Sequence, residues 1–389
     1  MTTTVPEREI VSIRDLDAEV ELCELVPTRH GVLSWLRGGD GLVGWGEAAR
    51  FEISGPDRFG QAAEAWARFV ERIGGDPRVA AFVSFSYAGN GRSVLIVPRV
   101  LVGRRAGRSW ITTIGPDPRI PAAPVTGPGP VRWRDGDLPS ARWRDAAAEA
   151  VRRIRRGEFE KVVLARDLVA EAAEPIDPRH LVRELAARHP DCWTFAVAGL
   201  VGATPEMLLR RDGNRLTARV LAGTSWDDGV QLARSRTHLS EHAYAVASLV
   251  GAIAPNCTTL RTDGPFELRL RDIAHLATDV AGELKGDLDL FALAAAVHPT
   301  AAVGGTPRAA ADRVINELEG LDRGRYAGPV GWIDATGSGE LGIALRCAQL
   351  TGPRARLFAG CGLIAESDPD VELRETEAKF AALCEVLGA

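Results

Sequence analysis

Only three of the 47 lysine and arginine residues in this chain are lysines, Lys161, Lys285 and Lys379. Arginine keeps its charge at any accessible pH, whereas a partly desolvated lysine can lose its proton near neutrality and act as a base. A lysine that persists against an arginine-rich background marks a place where lysine chemistry is needed, unless it sits in a solvated turn. Lys285, in the polar stretch GELKGD, is such a turn residue, whereas Lys161 and Lys379 lie in segments that also carry placed acids. In VELRETEAKF, residues 371–380, Glu372, Glu375 and Lys379 fall at i, i+3 and i+7 on one face of a helix, and Leu373, Phe380, Leu383 and Leu387 form a separate apolar stripe. A salt-bridged surface helix would show the same letters. The preceding FAGCGLIAESDPD reads as a strand ending in a glycine loop, where backbone N–H groups can approach a carboxylate while the acidic helix holds a metal above it. Carboxylates without a cysteine or clear histidine cluster suit a hard cation such as Mg2+.

Two other motifs offer competing chemistry. HLSEH, residues 238–242, matches the H-x-x-E-H zinc-protease pattern, with His238 and His242 one helical turn apart, Glu241 as base, and Glu317 or Glu319 as a third ligand. A solvated helix face produces the same five letters, so zinc hydrolysis is the minor reading. GSGELG, residues 337–342, matches the dinucleotide fingerprint in letters only. That motif must open a helix, and GIALRCAQL continues as an alternating strand, so a hairpin turn is expected.

The elements that must position these residues are legible in outline. KVVLARDLVA is a strand with Lys161, Val163 and Ala165 on one face and Val162, Leu164 and Arg166 on the other. Ser140 is placed to cap a helix with Trp143, Ala147, Val151 and Ile154 at helical spacing and Gly157 as its stop. MLLRRDGNRLTARVLAG is a hairpin, and residues 328–360 read as a three-strand meander. Helices are expected at about 58–73, 233–253, 287–297, 306–319 and 369–387. Residues 115–130 hold six prolines and read as a surface connection. Strand pairs on tight turns, interleaved with helices without regular βαβ alternation, indicate an α+β architecture with large antiparallel sheets.

Composition narrows the function classes. A net charge of −5 with mixed signs argues against a nucleic-acid footprint or a polybasic membrane patch. The polar N-terminus has no signal-peptide core, and the uncharged stretch 291–307 is too short and broken to cross a bilayer. Six cysteines without a CxxC pair fit reduced cytoplasmic thiols.

KVVLAR (161–166), ATPEMLL (203–209), LAGT (221–224), SEHAYAV (240–246), HLATDVAGEL (275–284), HPTAAVGGTP (298–307), YAGPVGW (326–332), ALRCAQL (344–350), FAGCGLI (358–364) and ELRETEAKF (372–380) occur in one order. In that order the chain resembles the chorismate-utilising enzymes, over roughly residues 140–389. The resemblance implies a single large domain of two stacked antiparallel sheets with outer helices: an N-terminal part to residue 114, a connection at 115–139 and a catalytic core from 140. It further implies chorismate as substrate and Mg2+ as cofactor. Lys161 matches the base that activates water for attack at C2 of the ring, and Glu206 the acid that protonates the departing C4 hydroxyl. Glu241 and Glu375 match Mg2+ ligands, with Glu372 nearby; Tyr326 and Arg346 match the holders of the enolpyruvyl carboxylate. Thr224, His275, Gly360, Gly362 and Lys379 match groups around the substrate carboxylate and ring.

Lys161 points to water rather than ammonia as nucleophile, so neither an amidotransferase segment nor an amidotransferase subunit is expected. HLAT and HPTAAVGG are more similar to isochorismate synthases than to salicylate synthases. The chain is expected to act in the cytoplasm as a monomer. Two departures from the family pattern stand out: His238 where relatives commonly carry an acid, expected to weaken Mg2+ binding, and Cys361 where they usually carry alanine, expected to have little effect.

Overall fold

The structure, a computed structural model, describes residues 10–17, 20–116, 118–225, 232–271 and 274–388. Alternating β-branched runs and tight turns give strands that assemble into two antiparallel sheets, one of 12 strands and one of nine. The larger runs Val11–Leu16, Arg108–Ile114, Val100–Arg105, Asp40–Trp45, Leu33–Arg37, Trp193–Val197, Leu200–Thr204, Cys347–Thr351, Arg354–Leu363, Lys161–Glu171 and Gly305–Thr306, and Arg132–Asp135 also pairs with Lys161–Glu171. The smaller runs Cys257–Arg269, Ala274–Leu284, Arg215–Ser225, Met207–Asp212, Gly339–Ile343, Pro329–Asp334, Ala80–Ser84, Ser93–Val97 and Ala49–Ile53. Residues on either side of the proline-rich segment share both sheets: Leu33–Arg37 pairs with Trp193–Val197, and Ala80–Ser84 with Pro329–Asp334.

Apolar side chains from the two facing sheet surfaces form the main core, with Trp35 and Phe195 from the larger sheet and Phe82, Leu95 and Leu341 from the smaller. Helices Pro178–Arg188 and Pro369–Val386 cover the outer face of the larger sheet, seating Leu181, Leu185, Phe380 and Leu383 on Ala196, Val201 and Leu357. Helices Ser140–Arg155 and Arg308–Leu318 cover its Lys161 end, packing Trp143, Ala147 and Val314 on Val162, Leu164 and Leu363. Helices Arg58–Ile73, Arg236–Ile253 and Leu290–Val297 pack with the smaller sheet through Phe69, Ala245 and Phe291.

The sequence expectations hold for the hairpin, for the turn at Gly337 and for the helix positions, and four details change. Helix Pro178–Arg188, capped by the Asp177 side chain accepting from Arg179 N, has no counterpart in the sequence reading. Ser140 opens its helix without capping it, because its hydroxyl accepts from Arg166 Nη2 at 2.6 Å. The expected meander is four strands, split between sheets where the chain leaves Gly339–Ile343 for Cys347–Thr351. The strand Arg354–Leu363 continues through Gly360-Cys361-Gly362, so these residues form a ladder with Val163–Ala165 and no loop.

Trp143 is fully buried and donates through Nε1 to Leu164 O at 3.3 Å. Trp143→Ala is expected to cost about 3–5 kcal/mol in chemical denaturation, the usual range for truncating a core aromatic. A cost under about 1 kcal/mol would mean that this helix does not hold the Lys161 strand.

Candidate active site

The polypeptide crosses between the sheets twice at one place. It leaves Leu200–Thr204 in the larger sheet through Pro205 and Glu206 and enters Met207–Asp212 in the smaller. It returns from Gly339–Ile343 through Ala344, Leu345 and Arg346 into Cys347–Thr351. The crossings are bonded to each other, with Ile343 N donating to Glu206 O at 3.1 Å and Ala203 N to Arg346 O at 3.2 Å. Arg346 takes a left-handed backbone there, φ +47°, an unusual cost for a non-glycine residue that this turn imposes.

A cavity opens beside the crossings. Its lining includes every residue the resemblance nominates except Lys161, Glu372 and Glu375: Glu206, Thr224, Glu241, His275, Tyr326, Arg346, Gly360, Gly362 and Lys379. Pro205, Leu221, Ala222, Ala302, Val303 and Leu345 supply apolar wall that the sequence reading did not identify, although each lies in or beside a nominated motif.

The excluded residues lie just behind this wall. Lys161 is fully buried, and its Nζ lies 3.2 Å from Glu241 Oε1 without hydrogen-bond alignment to any partner among the described residues. A β-carbon at Gly362 would lie 2.3 Å from Glu241 Oε1 and 3.1 Å from Lys161 Cε, so only glycine lets this carboxylate and lysine meet over the strand. Gly360 is constrained in the same way by Tyr326 Oη, 2.9 Å from where its β-carbon would stand. Tyr326 stacks on Phe358, with ring centroids 5.1 Å apart.

Glu206 is 4 % exposed. Burial pushes its carboxyl up to about 8, a rise only partly opposed by the Leu221 N–H and by the positive charges of Lys161, Arg346 and Lys379. It therefore holds its proton at neutral pH, as an acid in this position requires.

The strand Arg215–Ser225 shifts register against Ala274–Leu284 between Ala222 and Thr224, at Gly223 with φ +78°. The shift places Thr224 beside His275, whose Nδ1 lies 3.0 Å from Thr224 Oγ1 and whose Nε2 lies 3.4 Å from Arg346 Nη2. A guanidinium can only donate, so Nε2 accepts and the proton resides on Nδ1. Burial, reinforced by Arg346 and Lys379, holds this imidazole neutral, well below its usual range.

On helix Pro369–Val386, Lys379 donates to Glu375 and, at 2.9 Å, to Gly360 O. Burial would raise the Glu375 carboxyl, but Lys379 outweighs it and the carboxyl lies below its usual value. Glu372 is pushed up to about 7, by burial first and then by Glu375. Its Oε2 accepts from Cys361 Sγ at 2.6 Å, and potential ligand atoms of Cys361, Glu372 and Glu375 all lie within 4.8 Å of one another. The Cys361 thiol thus directly holds an acid of the proposed metal set, a contact an alanine there would not make. Glu241, on helix Arg236–Ile253, lies outside that cluster of three, and only its charge is felt there, adding to the rise at Glu372. The carboxylate oxygens of Glu372 and Glu375 suit a hard dication, whose charge would favour the ionised form of Glu372.

The HLSEH reading does not survive the geometry. His242 lies 3.1 Å from Ala222 O through Nδ1 and 2.7 Å from Thr278 Oγ1 through Nε2, so neither nitrogen is open to a metal. Glu317 pairs with Arg153 at 2.6 Å, and Glu319 is bonded to Arg323. His238 packs its backbone and Cβ against Gly223 and is not among the clustered acids.

A family model described as chorismate binding enzyme matches residues 130–388. The isochorismate synthase MenF of Bacillus subtilis is 35% identical over 260 residues, covering 63% of this chain and 55% of that protein, so the alignment spans about half of that relative. The putative isochorismate synthase MenF of Mycobacterium tuberculosis is 38% identical over 292 residues, 66% of this chain and 78% of that one. Among solved structures, the putative 2,3-dihydroxybenzoate-specific isochorismate synthase DhbC from Bacillus anthracis superposes with a TM-score of 0.80 at 28% identity, covering 94% of this chain and 98% of that one. MenF from Escherichia coli has a TM-score of 0.82 over 99% and 96% of the chains, a likeness of fold at 23% identity.

Glu206 also links pH to stability. Its carboxyl titrates at about 8 in the folded chain and near 4.3 when unfolded, so its contribution to stability is complete below the unfolded value and lost as pH rises to the folded one. Compared with Glu206→Gln, which mimics the protonated form, the native chain is expected to lose relative stability between about pH 4.3 and 8 and to level off above. Parallel pH profiles for the two proteins would place the Glu206 titration elsewhere.

Proposed function

The chain belongs to the chorismate-binding enzymes, and we propose that it is an isochorismate synthase, which adds water at C2 of chorismate and expels the C4 hydroxyl. The observation that carries this reading is a buried carboxyl, Glu206, held protonated in the cavity that Glu241 also lines, with the enclosed Lys161 Nζ 3.2 Å behind Glu241 Oε1. Hydroxide is a poor leaving group, so the C4 oxygen must take a proton as its bond to carbon breaks, and Glu206 is charged with one at neutral pH. Lys161 takes the proton released by the attacking water, with the ring double bonds shifting so that atoms balance: one water enters and one leaves.

Arg346 and Tyr326 supply a guanidinium fork and a phenol donor for the enolpyruvyl carboxylate. The neutral His275, at 3.0 Å from Thr224 through Nδ1, accepts from Arg346 through Nε2 and so helps hold the guanidinium at the cavity wall. Glu241, Glu372 and Glu375 would hold Mg2+. When bound, that ion would neutralise and orient the ring carboxylate. The apolar surfaces of Val163, Leu221, Ala302 and Val303 limit the water that competes at the ring.

Purified protein given chorismate and Mg2+ is expected to release isochorismate. Chelation is expected to abolish the reaction, and Mg2+ but not Zn2+ to restore it. Salicylate with pyruvate as the main product would make the chain a salicylate synthase, and no turnover of chorismate would contradict the reading outright.

If Lys161 is the base, Lys161→Arg keeps the charge without an accessible neutral form, and is expected to lose about 10²–10⁴ in rate, nearly as much as Lys161→Ala. Lys285, exposed with its Nζ donating to Pro255 O at 3.1 Å, provides the control, and Lys285→Arg is expected to leave the rate unchanged. A folded Lys161→Arg enzyme that keeps most of its rate would remove Lys161 from the chemistry.

A further inference from the structure

We propose that the buried ion pair Glu319–Arg323 is a positioning device for Lys161, a role that rests on Lys161 being the base. The pair occupies a gap in the larger sheet. Along one side, the strand Lys161–Glu171 is fully laddered by Arg354–Leu363, from Val162 to Glu171. Along the other, Gly305–Thr306 covers only Lys161 and Val162, and Arg132–Asp135 covers only Leu168–Glu171. Between these short partners the backbone needs other donors and acceptors, because unpaired buried amides and carbonyls are costly.

Glu319 and Arg323 supply them. Glu319 Oε2 accepts from Ala165 N at 2.8 Å, and Arg323 Nη2 donates to Val163 O at 2.8 Å. The two side chains lock each other through Nε to Oε1 and Nη2 to Oε2, both at 2.6 Å, and the guanidinium lies 4.3 Å over the Tyr87 ring. Arg323 Nη1 donates at 2.8 Å to Val303 O, and its own carbonyl accepts from Tyr326 N at 3.0 Å. One residue is thereby bonded to three parts of the cavity wall: the Lys161 strand at Val163, the turn at Val303, and Tyr326.

Energetics favour a positional role over a stabilising one. Glu319 is 1% and Arg323 4% exposed, and removing two charges this far from water costs about what their attraction returns. An apolar replacement would fill the space but leave the three backbone groups unpaired. Lys161 begins the strand two residues before Val163, so a slip at Val163 carries directly to the Lys161 Nζ facing Glu241.

The test is a double-mutant cycle on the full-length enzyme with chorismate and Mg2+. Arg323→Lys keeps the charge toward Glu319 but cannot serve both carbonyls. On the native background it is expected to lower kcat about 10–100-fold, with KM for chorismate changed by less than about threefold, the signature of a displaced reacting group. On the Lys161→Ala background, where there is no lysine to misplace, it is expected to change the residual rate by less than about twofold. Equal losses on both backgrounds, or a loss confined to KM, would overturn the proposal. If Arg323→Lys does not fold, Glu319→Gln, which keeps an acceptor for Ala165 N–H, takes its place in the same cycle. Failure of both variants to fold would reduce the pair to a folding element and refute a positioning role. An active Lys161→Ala enzyme would instead refute the assignment of Lys161 on which this proposal rests.

Discussion

The site depends on the polypeptide passing from one sheet to the other at Glu206 and back at Arg346. A seam between two packed sheets excludes water, so any carboxyl placed there is pushed toward its neutral form, and Glu206 rises to about 8. The return crossing brings Arg346 alongside in a left-handed backbone that the surrounding hydrogen bonds enforce. A buried carboxyl and a buried guanidinium thus arise from the same topological event. The register shift at Gly223 acts similarly, setting Thr224 against His275 and fixing a neutral imidazole at the cavity wall.

The remaining charges form two sets at the Lys161 end of the larger sheet. Lys161 faces Glu241, and Lys379 holds Glu375, so each lysine opposes one acid of the proposed metal set. Glu372 is held by the Cys361 thiol instead, and burial beside Glu375 pushes it up to about 7. Behind them, Glu319 and Arg323 close the edge of the strand with side-chain bonds where a neighbouring strand is missing. The glycines at 360 and 362 are the counterpart on the paired strand, giving up side chains so that Tyr326 and Glu241 can approach.

Much of this was legible in the sequence because periodicity encodes faces. The alternation of KVVLAR assigned Lys161 and Val163 to one side and Val162 and Leu164 to the other; Val163 lines the cavity, and Val162 and Leu164 pack under the helices. The i, i+3, i+7 spacing of Glu372, Glu375 and Lys379 likewise yielded a shared helical face. What could not be read depends on partners distant in sequence. Helix Pro178–Arg188 and the strands before residue 114 carry no chemical motif. Glu319 seemed a possible zinc ligand until Arg323 and Ala165 N were found to occupy it. The glycine-cysteine-glycine run suggested a loop because glycines usually break strands, whereas here they thin a strand where side chains from three other elements converge.

The central claim is that solvent water supplies the new oxygen at C2 while Glu206 carries the old one away as water. Running the reaction on chorismate in 18O-enriched water, and locating the label in the isochorismate by mass spectrometry, tests it most directly. The account predicts one heavy oxygen per product molecule, in the C2 hydroxyl, acquired in the first forward turnover. Isochorismate formed without label would mean that the C4 hydroxyl migrates within the ring, and would contradict the roles given to both Lys161 and Glu206.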